Sequence, residues 1–444
     1  MSRAGLATAV WCTGLAACGA CGKGDPGGAA PSSSSPPPVV AETLPRCRGE
    51  AQRLAVPGED VVVGDVAIGD GGLLLGLIRV DGGKRVASVM RASLDLATSS
   101  VVDVGPPLGD DPPPSPRWNG SIAYVSFIAR HSSDAGARSR ELHVARLEAG
   151  GLGKVEAKVL QQADESTAFD VAWDGANGLA AWDEDAPFAV SGDGGRPAFE
   201  GRGFVKVQAL GAETRRVASP ESSDAESPRL IARPGGGFWL GWLARRSEDE
   251  PYAVEAPGEK RAFRWVEVVP LGPSGEAAGP VRRVTSEKGR AASFELALHG
   301  SELVVMVQDE LSSAEGAGAR IVRHVVRDKG EPIESSDVVD GGVGQALAEI
   351  VPTVAASGAA RWLAWTDTSE RTHMTPLAAG LVASGRGATE PSLDGARVVA
   401  AHPPDVLYAL VGAAPDDGEA REGRRPELRR FVCPSGPGAP GADR

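Results

Sequence analysis

A short hairpin recurs along this chain and limits its fold more than any other feature. In its plainest form it runs from Val351 to Asp367, VPTVAASGAARWLAWTD: a strand over Thr353–Ala356, a tight Ser357-Gly358 turn, a second strand over Trp362–Trp365 and an acidic end. Variants of it start at Val66, Pro116, Asp170, Arg229, Phe294 and Ala396, each turning through Gly, Asn, Asp or Pro into an apolar strand. That makes seven units. From the turn at Gly71 to the turn at Pro404 is 333 residues over six steps, about 55 per step. A repeat of that length holds four strands, so the spacing predicts an all-β propeller of seven four-stranded blades rather than a helical solenoid.

The rest of each unit fits. Alternating third strands follow the hairpins, as at Phe204–Leu210 and Phe263–Val268, and more polar fourth strands follow those, as at Arg215–Ala218, Val281–Thr285 and Asp337–Val339. Charge on an outer strand resists pairing with other chains. The abundance of turn formers, 58 Gly and 34 Pro, also favours short strands over long helices.

The last unit supplies only three strands, ending in Leu428–Cys433, whereas an orphan outer strand, Gln52–Val56, stands before the first. If the N-terminal strand completes the final blade, Cys47 comes beside Cys433, and a disulfide there would lock the ring. The alternative is two unpaired buried thiols. Cys21 is left over.

The chain opens with Arg3 and an apolar run over Ala4–Ala17, too short for a stable membrane anchor, which reads as an export signal. Its end, Leu15-Ala16-Ala17-Cys18, resembles the bacterial lipobox, which implies lipidation and cleavage at Cys18; an ordinary cleaved signal peptide is the alternative. Gly19 after the lipidated position implies, by the same resemblance, release to the outer membrane where the cell has one. Gly22–Val40 is low-complexity sequence and reads as a tether. The expected organisation is thus a signal peptide over 1–17, a lipid-anchored linker over 18–46, the propeller over 47–434 and a disordered tail over 435–444.

Taken together, lipobox, tether and repeat resemble bacterial cell-envelope lipoproteins that carry a seven-bladed β-propeller, over about residues 47–434. The resemblance is architectural. The chain has no Trp-Asp pair at the WD40 position, no sialidase-type Asp-box and no quinone-binding repeat.

Loops within the hairpins are short, whereas those after each second strand are long and charged: Arg130–Arg140, Asp183–Arg202, Arg245–Arg261, Gln308–Arg320, Thr366–Thr372 and Ala414–Arg425. Long loops gathered on one end of a rigid scaffold are where binding usually resides. Acidic residues at the second-strand ends (Asp183, Asp185, Asp309, Glu310 and Asp367), with Arg245, Arg246 and His373, are therefore expected around the channel mouth. Such a ring could take a cation, a sugar or a basic peptide segment; solvated strand ends are the plainer reading. Carboxylates suit calcium, but Trp182-Asp183-Glu184-Asp185 lacks the EF-hand pattern, and no cofactor motif is identified.

Reactive constellations are poor. The six histidines are scattered, with no His-Glu-x-x-His pair, no Gly-x-Ser-x-Gly elbow is present, and Gly150–Val155 departs from a phosphate-binding loop. The net charge of −13 argues against nucleic acid. The paired tryptophans Trp239/Trp242 and Trp362/Trp365, three apart, fall on opposite sides of a strand and read as packing between blades. The expectation is a lipid-anchored envelope protein that binds a protein or carbohydrate partner and leans away from catalysis. The alternative is a glycan-cleaving hydrolase or lyase that uses carboxylates at the channel mouth.

Overall fold

The computed structural model describes residues 48–107, 111–130, 140–148, 150–161, 168–185, 203–220, 224–245, 252–253, 260–261, 263–313, 316–327, 333–340, 353–357, 360–366, 372–378, 382–383, 388–389, 396–402, 406–411 and 426–432. All the regular structure among them is β.

After β1 (Arg48–Ala55), blade 1 comprises β2 (Glu59–Gly69), β3 (Gly72–Asp81), β4 (Lys84–Ala92) and β5 (Ser99–Gly105). Blade 2 comprises β6 (Ser115–Asn119), β7 (Ile122–Arg130), β8 (Arg140–Glu148) and β9 (Gly151–Gln161). Blade 3 comprises β10 (Phe169–Asp174), β11 (Asn177–Asp185), β12 (Gly203–Ala209) and β13 (Arg215–Val217). In blade 4, β14 (Asp224–Ala232) and β15 (Phe238–Arg245) are followed by a small separate hairpin, β16 (Tyr252–Ala253) and β17 (Lys260–Arg261), before β18 (Trp265–Leu271) and β19 (Arg282–Arg283). Blade 5 comprises β20 (Ala291–His299), β21 (Glu302–Ser313), β22 (Gly316–Val326) and β23 (Glu334–Asp340). Blade 6 comprises β24 (Thr353–Ser357), β25 (Ala360–Thr366) and β26 (Thr372–Ala378), with β27 (Val382–Ala383) and β28 (Ala388–Thr389) both on the outer edge of β26. Blade 7 comprises β29 (Ala396–His402), β30 (Val406–Val411) and β31 (Glu427–Val432), and β1 is its fourth strand.

The fold is the expected seven-bladed β-propeller, and its innermost strands close a ring: β2, β6, β10, β14, β20, β24 and β29 touch in that order, with β29 back against β2. Closure at blade 7 is by strand exchange. β1 lies antiparallel to β31, with Arg48 opposite Val432 and Gly49 opposite Phe431. Cys47 and Cys433 lie outside the described residues, as do the leader, the tether and Cys18.

The core lies between blades rather than within them. Each second strand is covered on both faces, which is why these strands read as near-continuous apolar runs. In β3, Leu73, Leu75 and Leu77 pack against Tyr408 and Leu410 of blade 7, while Leu74 packs toward Val125 and Phe127 of blade 2. In β15, Trp242 joins Leu179 and Val207 of blade 3, while Trp239 joins Leu303 and Val305 of blade 5. The three-residue tryptophan spacing therefore does place the two rings in different interfaces. Each such large apolar side chain stabilises the ring by roughly 2–3 kcal/mol relative to exposure.

Two connections differ from the sequence reading. Gln308–Arg320 is mostly strand, because β21 and β22 stay paired out to Ser313 opposite Gly316; its polar residues suit the solvent end of a long hairpin as well as a loop. The first strand of blade 1 begins at Glu59, well before Val66, and reaches it through two register shifts.

Candidate functional site

An innermost strand has a neighbour on only one side, so its other edge borders the channel. That edge tolerates proline, which has no N–H to donate, and both β6 and β14 carry one, Pro116 and Pro228, immediately before an arginine. Asp65, Ser115, Asp170 and Glu295 each stand four residues before the last paired residue of their strands, Gly69, Asn119, Asp174 and His299. Arg229 stands four before Arg233, whose N–H extends the ladder by bonding the Gly237 carbonyl. Blades 1 to 5 thus present Asp, Ser, Asp, Arg and Glu at one level. Arg117 lies two residues beyond Ser115 and so on the same side of its strand.

These side chains meet near the axis. Arg117 Nη2 donates to Asp65 Oδ2 at 3.1 Å and to Asp170 Oδ1 at 3.2 Å, bridging blades 1 and 3, and Ser115 Oγ donates to the same Asp65 oxygen at 2.7 Å. Asp170 is otherwise fully used: Oδ1 also accepts from the Val171 N–H and Oδ2 accepts from the Leu230 N–H of blade 4, both at 2.8 Å. The field of Arg229 in blade 4 reaches Asp65 in blade 1 and Glu295 in blade 5, and that of Arg117 also reaches Glu295. Although Asp65 is central in the ring, its side chain is 54% exposed, whereas that of Asp170 is 8% exposed. Solvent therefore reaches the cluster along the channel.

The electrostatics follow from this geometry. Partial desolvation by the protein atoms crowded around the channel works to raise the Asp65 carboxyl, but Arg117 and Ser115, with Arg229, outweigh it and hold the group below its ordinary value. Burial works to loosen the proton on Arg117, and Asp65 and Asp170 bind it more firmly still. Glu295 goes the other way. Burial, reinforced by Asp170 and opposed by Arg229 and Arg117, pushes its carboxyl up to about 7. Among the described residues its one hydrogen bond comes from the neighbouring Leu296 N–H at 3.3 Å.

The residues expected at the channel mouth are placed as follows. Asp183 is buried; its Oδ2 accepts from the Ser227 N–H of blade 4 at 2.9 Å. Asp309 accepts from Arg320 Nη2 at 2.9 Å and from the Arg290 N–H at 3.2 Å. Arg245 is paired with the buried carboxylate of Asp224. His373 stacks on Trp365, ring centroids 5.3 Å apart. Asp185 and Glu310 lie in strands β11 and β21, with their side chains outside the described residues, and Arg246 and Asp367 lie outside them altogether. Among the described residues no group of three or more His, Cys, Asp or Glu is arranged to hold a metal ion.

Sequence reasoning passed over the axial cluster because its residues look like ordinary charges within amphipathic strands. The available signal was positional: a charged or hydroxyl residue at a constant distance before the hairpin turn, and the repeated Ser-Pro-Arg at Ser115–Arg117 and Ser227–Arg229.

The chain matches no protein-family profile and no curated protein sequence. Among solved structures it is similar to the polysaccharide lyase Uly1, at a TM-score of 0.50 and 9% identity over 89% of this chain and 93% of that one. An ulvan lyase matches at 0.49 and 9%, over 88% and 94% of the two chains. The β-propeller domain of the Trilobed protease from Pyrococcus furiosus matches at 0.46 and 10%, over 85% and 94%. At such identities the likeness shows the fold alone: the protein is a β-propeller.

Proposed function

We propose that this is a lipid-anchored binding protein of the bacterial cell envelope, outer-membrane where there is one, whose propeller takes a protein or carbohydrate ligand at the channel. One observation carries the reading: a cluster of three carboxylic groups and two guanidinium groups converges at the axis where solvent reaches it, offering donors and acceptors on a rigid frame. Rigid frames bind without the entropic cost of ordering loops. Anchoring rests on the Leu15–Cys18 lipobox and the tether, which leave the propeller free to reach a partner.

A second reading has one supporting observation. A carboxyl whose pKa is about 7 can donate or accept a proton at neutral pH, and Glu295 has arginines near it, so glycan cleavage by lyase or hydrolase chemistry is the alternative. The polysaccharide lyase Uly1 shares the fold. Binding is favoured because Asp170 is spent on structural hydrogen bonds and no His, Lys, Tyr or Cys belongs to the cluster among the described residues.

The test is a glycan and peptide array probed with the full chain and with an Arg229→Gln variant, alongside ultraviolet detection of new unsaturated or reducing ends. Retention of a ligand that Arg229→Gln loses, without turnover, supports binding. Turnover abolished by Glu295→Gln would replace that reading with the enzymatic one.

A further inference from the structure

Most polar groups at the axis are committed to one another. Arg117 is shared between two aspartates, Asp170 is bonded on both oxygens, and Asp65 accepts from Ser115 and Arg117. Two members are not. The Arg229 guanidinium spends one donor, Nη1, on the Pro228 carbonyl at 3.0 Å and has no carboxylate at ion-pair distance among the described residues. Among the described residues the Glu295 carboxyl accepts only from Leu296. They stand on adjacent innermost strands, β14 and β20, at the same level and within each other's field.

We propose that Arg229 and Glu295 together form a receptor for a carboxylate group on the ligand, the guanidinium donating N–H and the protonated Glu295 carboxyl donating O–H to it. This rests on the reading of the channel as the binding site. A planar guanidinium matches a carboxylate's two oxygens. The charge balance favours one negative charge over two. Arg117 is more than cancelled by its two aspartates, and Arg229 brings the cluster with Glu295 protonated to zero net charge; the one uncommitted guanidinium can face one carboxylate, and Asp65 and Asp170 repel further charge.

The receptor works only while Glu295 holds its proton, because an ionised Glu295 would face the ligand charge to charge. The groups around it favour that state. Arg229 on β14 and Arg117 across the channel draw the proton off; burial and Asp170 hold it on. The remaining charges on packed elements are engaged elsewhere. On β14, Asp224 pairs with Arg245 of β15, and Glu226 lies 3.4 Å from Arg264. On β18, Glu267 accepts from the Trp242 and Trp265 indoles. On β21, Glu302 and Asp309 pair with Arg327 and Arg320, and the Glu310 side chain is outside the described residues. β24 contains no ionisable residue.

The experiment measures binding to the full chain in detergent, by ligand-observed NMR and calorimetry, between pH 5.5 and 8.5. The probes are glucuronate, its neutral counterpart glucose, acetate, and an N-acetylated dipeptide with a free C-terminus. Carboxylate probes are expected to bind, with affinity falling about tenfold per pH unit above about 7 and protons taken up on binding there. Preference for glucuronate over the dipeptide identifies a sugar acid as the source, and the reverse a peptide terminus. Arg229→Gln is expected to lose at least tenfold. Glu295→Gln, whose amide still donates, is expected to bind with the pH dependence gone; its thermal transition checks folding. Carboxylate binding that is flat with pH in the wild-type protein, or no carboxylate binding at pH 5.5, overturns the proposal. If a neutral ligand still binds and Arg117 or Arg229 variants weaken it, the channel reading survives that failure; if they leave all binding unchanged, both fall.

Discussion

Arg117 holds Asp65 from the next blade, Nη2 to Oδ2 at 3.1 Å, and from the same nitrogen reaches Asp170 of the blade on its other side. One residue thereby ties three of the seven blades together at the axis. Removing it leaves two carboxylates facing each other across a narrow space.

Arg117→Met is therefore expected to destabilise the protein by roughly 2 kcal/mol. Loss of a buried partner costs about 3–5 kcal/mol, discounted here because the Asp65 side chain is more than half exposed to the channel. Urea unfolding compared with wild type measures it. An unchanged midpoint would mean that channel solvent screens the aspartates.

Glu295 makes stability depend on pH. Its native pKa, about 7, lies above the ordinary carboxyl value of 4.5, so the folded protein holds this proton more tightly than the unfolded chain. Its stabilising contribution is full below about pH 4.5 and is lost as pH rises through 7, on the order of 3 kcal/mol in all. The difference in melting temperature between wild type and Glu295→Gln should drift against the wild type across this range. A constant difference would show that Glu295 titrates normally.

Gly76 sits in the middle of β3 where the segment before β6 crosses it. A Cβ there would stand 1.6 Å from the Pro114 carbonyl oxygen, a backbone atom that cannot turn aside. Gly76→Ala should destabilise by roughly 3 kcal/mol through overpacking, whereas the same change at the open turn residue Gly82, where only the positive φ of 55° resists, should cost about 1 kcal/mol. Thermal unfolding of the two variants side by side decides it.

Cys47 immediately precedes Arg48 and Cys433 immediately follows Val432, and Arg48 and Val432 are paired across β1 and β31. Peptide mapping without reduction is expected to recover them linked. Opening so long a loop would cost up to about 6 kcal/mol in the loop-entropy picture, so reduction should lower the melting temperature markedly. Two free thiols would remove the bond.

Cys18→Ala is expected to leave the protein unprocessed or to release it from the membrane fraction, read by fractionation and mass. Unchanged retention and processing would reject lipidation.

The repeat was legible because hairpin turns and doubly buried second strands leave local marks: Gly and Asn at the turns, runs such as Leu73–Ile78 between them, and tryptophans three apart at Trp239 and Trp242. The exchange of β1 into blade 7 was legible for a related reason, since a missing fourth strand at one end and an extra one at the other can be counted. The ends of β21 and β22 were not, because polar residues suit a solvated hairpin and a loop equally.

By itself, then, the sequence determined the blade count, the period and the strand exchange that closes the ring, all of which are set by neighbours in the chain and by alternation between buried faces. Only the tertiary structure decided which charges act together. Asp65, Arg117, Asp170, Arg229 and Glu295 are separated by 52, 53, 59 and 66 residues, and no local pattern reports that five strands point them at one axis. Their protonation was also beyond reach of the sequence. Burial and long-range fields set a carboxyl's pKa, and both exist only once the ring has closed.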